Sequence, residues 1–286
     1  MLMLVSLKVK ESIMVVLNRD DISIQKTADS GQCFRMNLQE DGSYIAAYRD
    51  ISVRVKQEGN TITFFCSDED FQNIWSPYFD IECDYSVFHD RIPKDDFFLN
   101  AAKDYSQGIR MLRQDTWETL ISFILSQRKN IPAIKSSVEK LCEKFGVYTG
   151  GLAPYAFPEP YRLAAATDEE LKSCGLGYRV PYVKKTADII YSGKLKLDEL
   201  NNYPNDELLN ALCTLPGVGV KVASCVMLFA YRRLDIFPRD VWIKRVEEQQ
   251  YNGHFDESIY KDSAGLMQQY MFYFGKSEEY KYFIIK

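Results

Sequence analysis

Residues 207–233 read ELLNALCTLPGVGVKVASCVMLFAYRR. The apolar spacing predicts one amphipathic helix running to about Cys213 and a second starting near Val220, a hairpin over about 207–230. Between them lies Leu215-Pro216-Gly217-Val218-Gly219. Two glycines around one valine permit a tight turn with exposed backbone. The turn opens onto a helix N-terminus, where free N–H groups and the dipole favour an anion. Gly217, Val218 and Gly219 are therefore read as a backbone clamp for a DNA phosphate. The plainer alternative is a turn between two helices that happens to use glycines.

Lys221 follows the turn at once. An ammonium in the first turn of a helix faces the positive end of the dipole. In a dry pocket its neutral form is favoured, and a neutral amine is a nucleophile able to form a Schiff base. A phosphate-binding lysine is the competing reading. Cys225 and Phe229 lie four and eight residues on, roughly on the same helix face, and are assigned to the wall of a pocket or to plain core.

Asp240 precedes another amphipathic start and is a good helix cap whatever else it does. The second hairpin helix is about 15 Å long. An extended Tyr231–Arg239 segment spans up to about 30 Å. The chain is thus long enough to return Asp240 to the end where Lys221 sits. A carboxylate there can take a proton from the amine or stabilise positive charge developing on a sugar. Pro238, just before it, is assigned to the same pocket.

Outward from this core, the chain divides. ISIQKTA, YIAAYRD, ISVRVKQ and TITFFCS alternate apolar and polar residues, which predicts strands, with a short helical stretch near Phe71–Trp75. From about Asp95 the period becomes helical, over 117–128, 133–145, 168–174, 181–193, 205–213 and 220–231, with Asp115 and Gly146 as caps. Residues 260–286 are read as helical and aromatic. The expectation is an α+β chain: a β-rich antiparallel domain over 1–107, then an all-helical domain over 108–286.

Net charge is −5, yet residues 1–107 carry −7 and the remainder +2, so a DNA-facing surface is expected mainly in the C-terminal part. Seven cysteines without a C-x-x-C pair disfavour a disulfide framework, a zinc ribbon and an iron–sulfur cluster, and two histidines are too few for a histidine-rich metal site. No apolar run reaches 18 residues, and the first sixteen are interrupted by Lys8, Lys10 and Glu11, so neither a membrane span nor a signal segment is expected. An intracellular, monomeric protein without metal or organic cofactor is expected, in the cytoplasm or nucleoid if the source is bacterial.

Residues 207–242 resemble the catalytic core of the helix-hairpin-helix DNA glycosylase superfamily, and Lys221 resembles its bifunctional members. Ser30-Gly31-Gln32-Cys33-Phe34-Arg35, Arg113-Gln114-Asp115, Asn130-Ile131 and Gly175-Leu176-Gly177-Tyr178-Arg179 are similar to the 8-oxoguanine DNA glycosylase family, from about residue 16 onward. The resemblance implies that an oxidised guanine is flipped from duplex DNA. Lys221 then attacks its sugar with Asp240 assisting, and the Schiff base can nick the strand by β-elimination. It further implies that the Gly31 carbonyl reads N7–H of 8-oxoguanine, and that Tyr178 with Arg179 forms a wedge beside the flipped base. Arg128, where the family has asparagine, and Asn130 fall on the DNA surface. Ala133 stands where an arginine reads the orphaned cytosine, and Trp242 where a histidine follows the Asp-Val pair. The glutamine that holds the lesion's Watson–Crick edge aligns with Tyr282, and the stacking phenylalanine with Lys286. Those last two substitutions leave another damaged purine open as substrate. A non-catalytic helix-hairpin-helix DNA-binding module is the remaining alternative, which has no need of Lys221 together with Asp240.

Overall fold

The computed structural model describes residues 13–283. Five strands form one antiparallel sheet in the order β1-β5-β4-β3-β2: β1 Val15–Asn18, β2 Met36–Leu38, β3 Tyr44–Tyr48, β4 Ile51–Glu58 and β5 Thr61–Phe64. Register opposes Tyr44 to Val55 and Val55 to Phe64. Alternation then puts Met36, Ala46, Val53, Val55, Ile62 and Phe64 on one buried face. Ile24, Phe71, Trp75 and Phe79 cover that face. The antiparallel sheet agrees with the sequence reading, and β1 and β2 are additions to it.

One expected strand is a helix. ISIQKTA folds as the helix Ile24–Asp29, with the Ser23 side chain accepting from Lys26 N. Its buried residues are Ile24, Thr27 and Ala28. That i, i+3, i+4 set is helical, whereas Ile22, Ile24 and Ala28 taken alone also fit the two-residue period of a strand. The serine cap satisfies a backbone N–H that a strand would have left to a neighbour.

The helical part contains Phe97–Tyr105, Thr116–Ser126, Ile131–Phe145, Val180–Tyr191, Asn205–Cys213, Val220–Phe229, Val241–Gln250, Ala264–Gly275 and several shorter turns. Asp115 caps the second of these, its carboxylate accepting from Trp117 N and Glu118 N at 3.0 Å each. Gly146 closes the third. Residues 85–105 pack into the helical core, through Tyr85, Ile92, Phe98 and Leu99, although their sequence neighbours belong to the sheet. No helix among the described residues is long and apolar enough to cross a membrane.

Two arginines bind the parts together. Arg110 is fully buried, its guanidinium 3.9 Å from the Tyr85 ring centroid and donating to the carbonyls of Asp80 and Cys83. Arg232, from the segment after the hairpin, donates to Asp80 at 2.5 Å and to Met111 O at 3.0 Å. Burial works against the charge on Asp80, but the Arg232 hydrogen bond and charge outweigh it and hold the carboxyl below its ordinary range. Gly265, in the first turn of the helix Ala264–Gly275, leaves room for the Leu228 side chain of the second hairpin helix: a Cβ there would stand 2.2 Å from Leu228 Cδ1 and 3.0 Å from Ile236 O.

Candidate active site

The hairpin turn needs Gly217 and leaves Gly219 open. Gly217 has φ +78°, and an added Cβ would fall 2.6 Å from the Tyr182 ring. Gly219 caps the helix Val220–Phe229 from an extended conformation, and nothing lies within 4 Å of its Cβ position. Val218 is buried and donates its N–H to Leu215 O, so its side chain belongs to the core. The N–H groups of the first helical turn have no side-chain cap, and Gly219, Val220 and Lys221 are exposed there. That is the arrangement an anion requires.

Lys221 sits at the mouth of a cavity of about 890 Å³ that also meets Asp240, Gly31, Cys225, Phe229 and Pro238. The amine lies 5.6 Å from the Phe123 ring centroid, and Phe123 stacks on Phe229 at 5.4 Å and 12°. Burial pushes the Cys225 thiol up, while the neighbouring Lys221 charge draws it back. Asp240 does cap its helix. One oxygen, Oδ1, accepts from both Trp242 N and Ile243 N at 2.9 Å. Capping therefore uses one carboxylate oxygen and leaves Oδ2 for the cavity. Arg239 anchors the returning segment through Glu247 at 2.9 Å and Glu257 at 2.6 Å, and the Glu257 hydrogen bond holds its pKa above the usual value.

Gly31 reaches the cavity from the sheet side. It has φ +78°, and a Cβ there would meet Phe272 Cε1 at 3.0 Å and Ile131 Cδ1 at 3.3 Å. Its neighbours fix it. Gln32 is fully buried, donating to Ser30 Oγ at 2.9 Å and Arg110 O at 2.8 Å and accepting from Leu112 N at 2.8 Å. Ser30 donates in turn to Thr27 O at 2.9 Å. A helix end thus becomes a rigid backbone probe into the pocket.

The loop 127–130 also lines the cavity. Arg128 is exposed, with φ +52°, and lines the cavity. Asn130 lines it too, while its Oδ1 accepts from Ala133 N at 2.9 Å as a helix cap. Gln127 Nε2 donates to Ile124 O and to Gly217 O, each at 3.0 Å. Tyr178 is half exposed and lines the cavity as well. Arg179 corrects the sequence reading. It is 5% exposed and turned inward, donating to Leu176 O and Gln127 O, with its guanidinium 4.3 Å from the Tyr178 ring. Two carbonyls and an aromatic face hold it inward, so it braces Tyr178 rather than reaching out beside it.

The readings at the C-terminus also change. Tyr282 is 71% exposed and lies off the cavity, and Lys286 lies outside the described residues. The cavity wall is formed instead by Gln268, Gln269, Phe272 and Lys276 from the preceding helix. Gln268 and Phe272 keep the four-residue spacing that the resemblance asked for. Gln268 Nε2 donates to Pro238 O at 3.2 Å, Gln269 donates to Gln268 Oε1 at 3.1 Å, and Gln269 Oε1 is buried without a partner among the described residues. The sequence signal was two adjacent amides inside an apolar run, since buried polar residues are the informative exception.

Residues 14–120 match the family described as 8-oxoguanine DNA glycosylase, N-terminal domain, and residues 121–262 match the HhH-GPD superfamily of base excision DNA repair proteins. The fold is similar to that of MBOgg1, solved in complex with a low-affinity DNA ligand, at 39% identity and TM-score 0.86, covering 93% of this chain and 96% of that one. It is also similar to the Clostridium acetobutylicum 8-oxoguanine glycosylase/lyase, solved with double-stranded DNA containing cytosine opposite 8-oxoG, at 33% identity and TM-score 0.84, covering 92% and 95%. Among curated proteins, the N-glycosylase/DNA lyase of Saccharomyces cerevisiae is 29% identical over 270 residues, 83% of this chain and 70% of the yeast protein. A chain that brings Lys221, Asp240 and Gly31 to one cavity therefore has relatives along nearly its whole length, and it belongs to the 8-oxoguanine DNA glycosylase family of helix-hairpin-helix base excision repair proteins.

Proposed function

We propose that this protein is a bifunctional DNA glycosylase and abasic-site lyase that flips 8-oxoguanine from duplex DNA and excises it. The observation that carries the reading is the convergence of Lys221, Asp240, Gly31 and Phe272 on one cavity. The base stacks on Phe272 with its N7 edge turned toward the Gly31 backbone. A carbonyl at Gly31 attracts the N7–H of 8-oxoguanine and repels the bare N7 of guanine, a polar contact of the kind that discriminates strongly. The Gln268–Gln269 amides, with one acceptor unpartnered, suit the Watson–Crick edge.

Lys221 Nζ attacks C1′ of the extruded nucleotide, and the C1′–N9 bond breaks with its electron pair leaving on the base, which takes up a proton. Asp240 Oδ2 offsets the positive charge that develops on the sugar and accepts the proton the amine gives up. Ring opening leaves an iminium on Lys221. Loss of a C2′ proton then expels the 3′ phosphate and nicks the strand. The hairpin N–H groups hold a backbone phosphate, Tyr178 fills the lost stacking, and Arg128 and Asn130 contact the DNA from the rim. Part of the motive for another damaged purine as principal substrate falls away, because Tyr282 lies off the cavity and Gln268 and Phe272 line it.

Borohydride treatment with a duplex containing 8-oxoguanine tests this. A covalent adduct is expected, and it is expected to vanish in Lys221→Gln. No adduct, or one that survives that substitution, overturns the reading.

A further inference from the structure

Lys276 stands four residues after Phe272, at the end of the helix that forms the cavity wall. Residues at i and i+4 share a helix face, and its amine lies 4.7 Å from the Phe272 ring centroid, within cation–π distance. Burial lowers its pKa, against the pull of Asp240 and Asp29. The charges around it are lopsided. Lys221, Arg128, Lys129, Arg239 and Lys244 also line the cavity, and Asp240 is the sole carboxylate among the described lining residues.

An aromatic platform attracts a cationic base through the negative face of its ring. Alkylated purines such as 7-methylguanine carry a formal positive charge, whereas 8-oxoguanine is neutral. A lysine already resting on the ring occupies that quadrupole and adds a repulsive charge nearby. We propose that Lys276, acting through Phe272, is a specificity-determining residue that sets the pocket against cationic alkylated bases and so reserves it for neutral oxidised purines. This rests on the reading of the cavity as the base pocket.

Binding isolates the effect from chemistry. Affinities are measured on the Lys221→Gln background for duplexes carrying 8-oxoguanine, guanine, 7-methylguanine stabilised by 2′-fluorination, and neutral 7-methyl-8-oxoguanine as the methyl-matched control. Adding Lys276→Met is expected to strengthen binding of 7-methylguanine relative to its neutral control by about tenfold. Lys276→Arg, which keeps the charge, is expected to leave that ratio where it was. A ratio unchanged by Lys276→Met, or changed equally by Lys276→Arg, overturns the proposal. Failure of the Lys221→Gln protein to prefer 8-oxoguanine over guanine overturns the base-pocket reading itself, and is seen before Lys276 is altered.

Discussion

Gln127 Nε2 donates to the Gly217 carbonyl at 3.0 Å, joining the rim loop that carries Arg128 to the hairpin turn beside Lys221. The loop and the turn are 90 residues apart in sequence. Through this bond the loop proposed to face the DNA gap and the turn proposed to hold a phosphate are tied to each other. Gln127→Ala is expected to lower single-turnover excision by about 10–100-fold, since small displacements in a reacting geometry cost rates of that order. Its thermal stability should fall by only about 1 kcal/mol, the worth of one hydrogen bond. Stopped-time excision alongside a melting curve separates the two.

The two hairpin glycines should fail differently. Gly217→Ala meets the Tyr182 ring at 2.6 Å with φ +78°, so it is expected to cost about 2–4 kcal/mol of stability. Gly219→Ala has open space and a negative φ, and should melt like the parent. Under the proposed phosphate contact its methyl stands in the path of the DNA. Affinity for undamaged duplex should drop several-fold with Gly219→Ala, measured by anisotropy across a salt series.

Gly31→Ala closes the pocket from the other side. Its Cβ falls 3.0 Å from Phe272 and the backbone is left-handed. Excision of 8-oxoguanine is expected to fall by about 100-fold or more, with binding to undamaged duplex retained because that contact lies elsewhere. Parallel loss of both would mean that the fold, rather than the pocket, had been disturbed.

Asp240 combines a cap with a proposed catalytic charge. Asparagine caps as well as aspartate. Asp240→Asn should therefore keep stability within about 0.5 kcal/mol while excision falls by about 1,000-fold. Asp240→Ala should lose the same activity and a further ~1 kcal/mol of stability. Denaturant midpoints and single-turnover rates on the pair of variants decide whether the two roles are separable.

The Asp80–Arg232 pair predicts a pH dependence with a definite sign. The folded carboxyl titrates below its ordinary value, so its stabilisation is present above the ordinary carboxylate range and is lost as pH falls through the folded value. Asp80→Asn is expected to cost about 3 kcal/mol at pH 7, because Arg232 is left without its partner in a mostly buried place. The gap between parent and variant should close as pH drops below about 4. A constant gap from pH 7 to pH 3 would show that packing, not charge, holds the joint.

Sequence pattern carried the hairpin furthest, because Gly217, Gly219, Lys221 and the amphipathic flanks speak through local chemistry. Asp240 was legible because the loop length could be checked against the helix length. What stayed hidden lies where local pattern is silent. ISIQKTA has helical and strand spacing at once, and only the Ser23 cap separates them. The register beyond Tyr251 was lost for a different reason. An irregular stretch over 251–263 breaks the count, and the next helix is buried almost all round, so no apolar stripe sets its phase. The expected glutamine position was therefore set at Tyr282, which lies off the cavity, while Gln268 and Phe272 line it. Arg179 was misjudged because sequence shows a charge but not the carbonyls waiting for it.

Gly265 has a consequence of its own. Without a side chain there, Leu228 of the helix that bears the amine seats against the first turn of the helix that would read the base. Any larger residue at 265 would push the two apart at that one point. The spacing between reader and nucleophile thus hangs on a missing methyl group, and a change outside the cavity lining would retune the pocket without altering any residue that faces it.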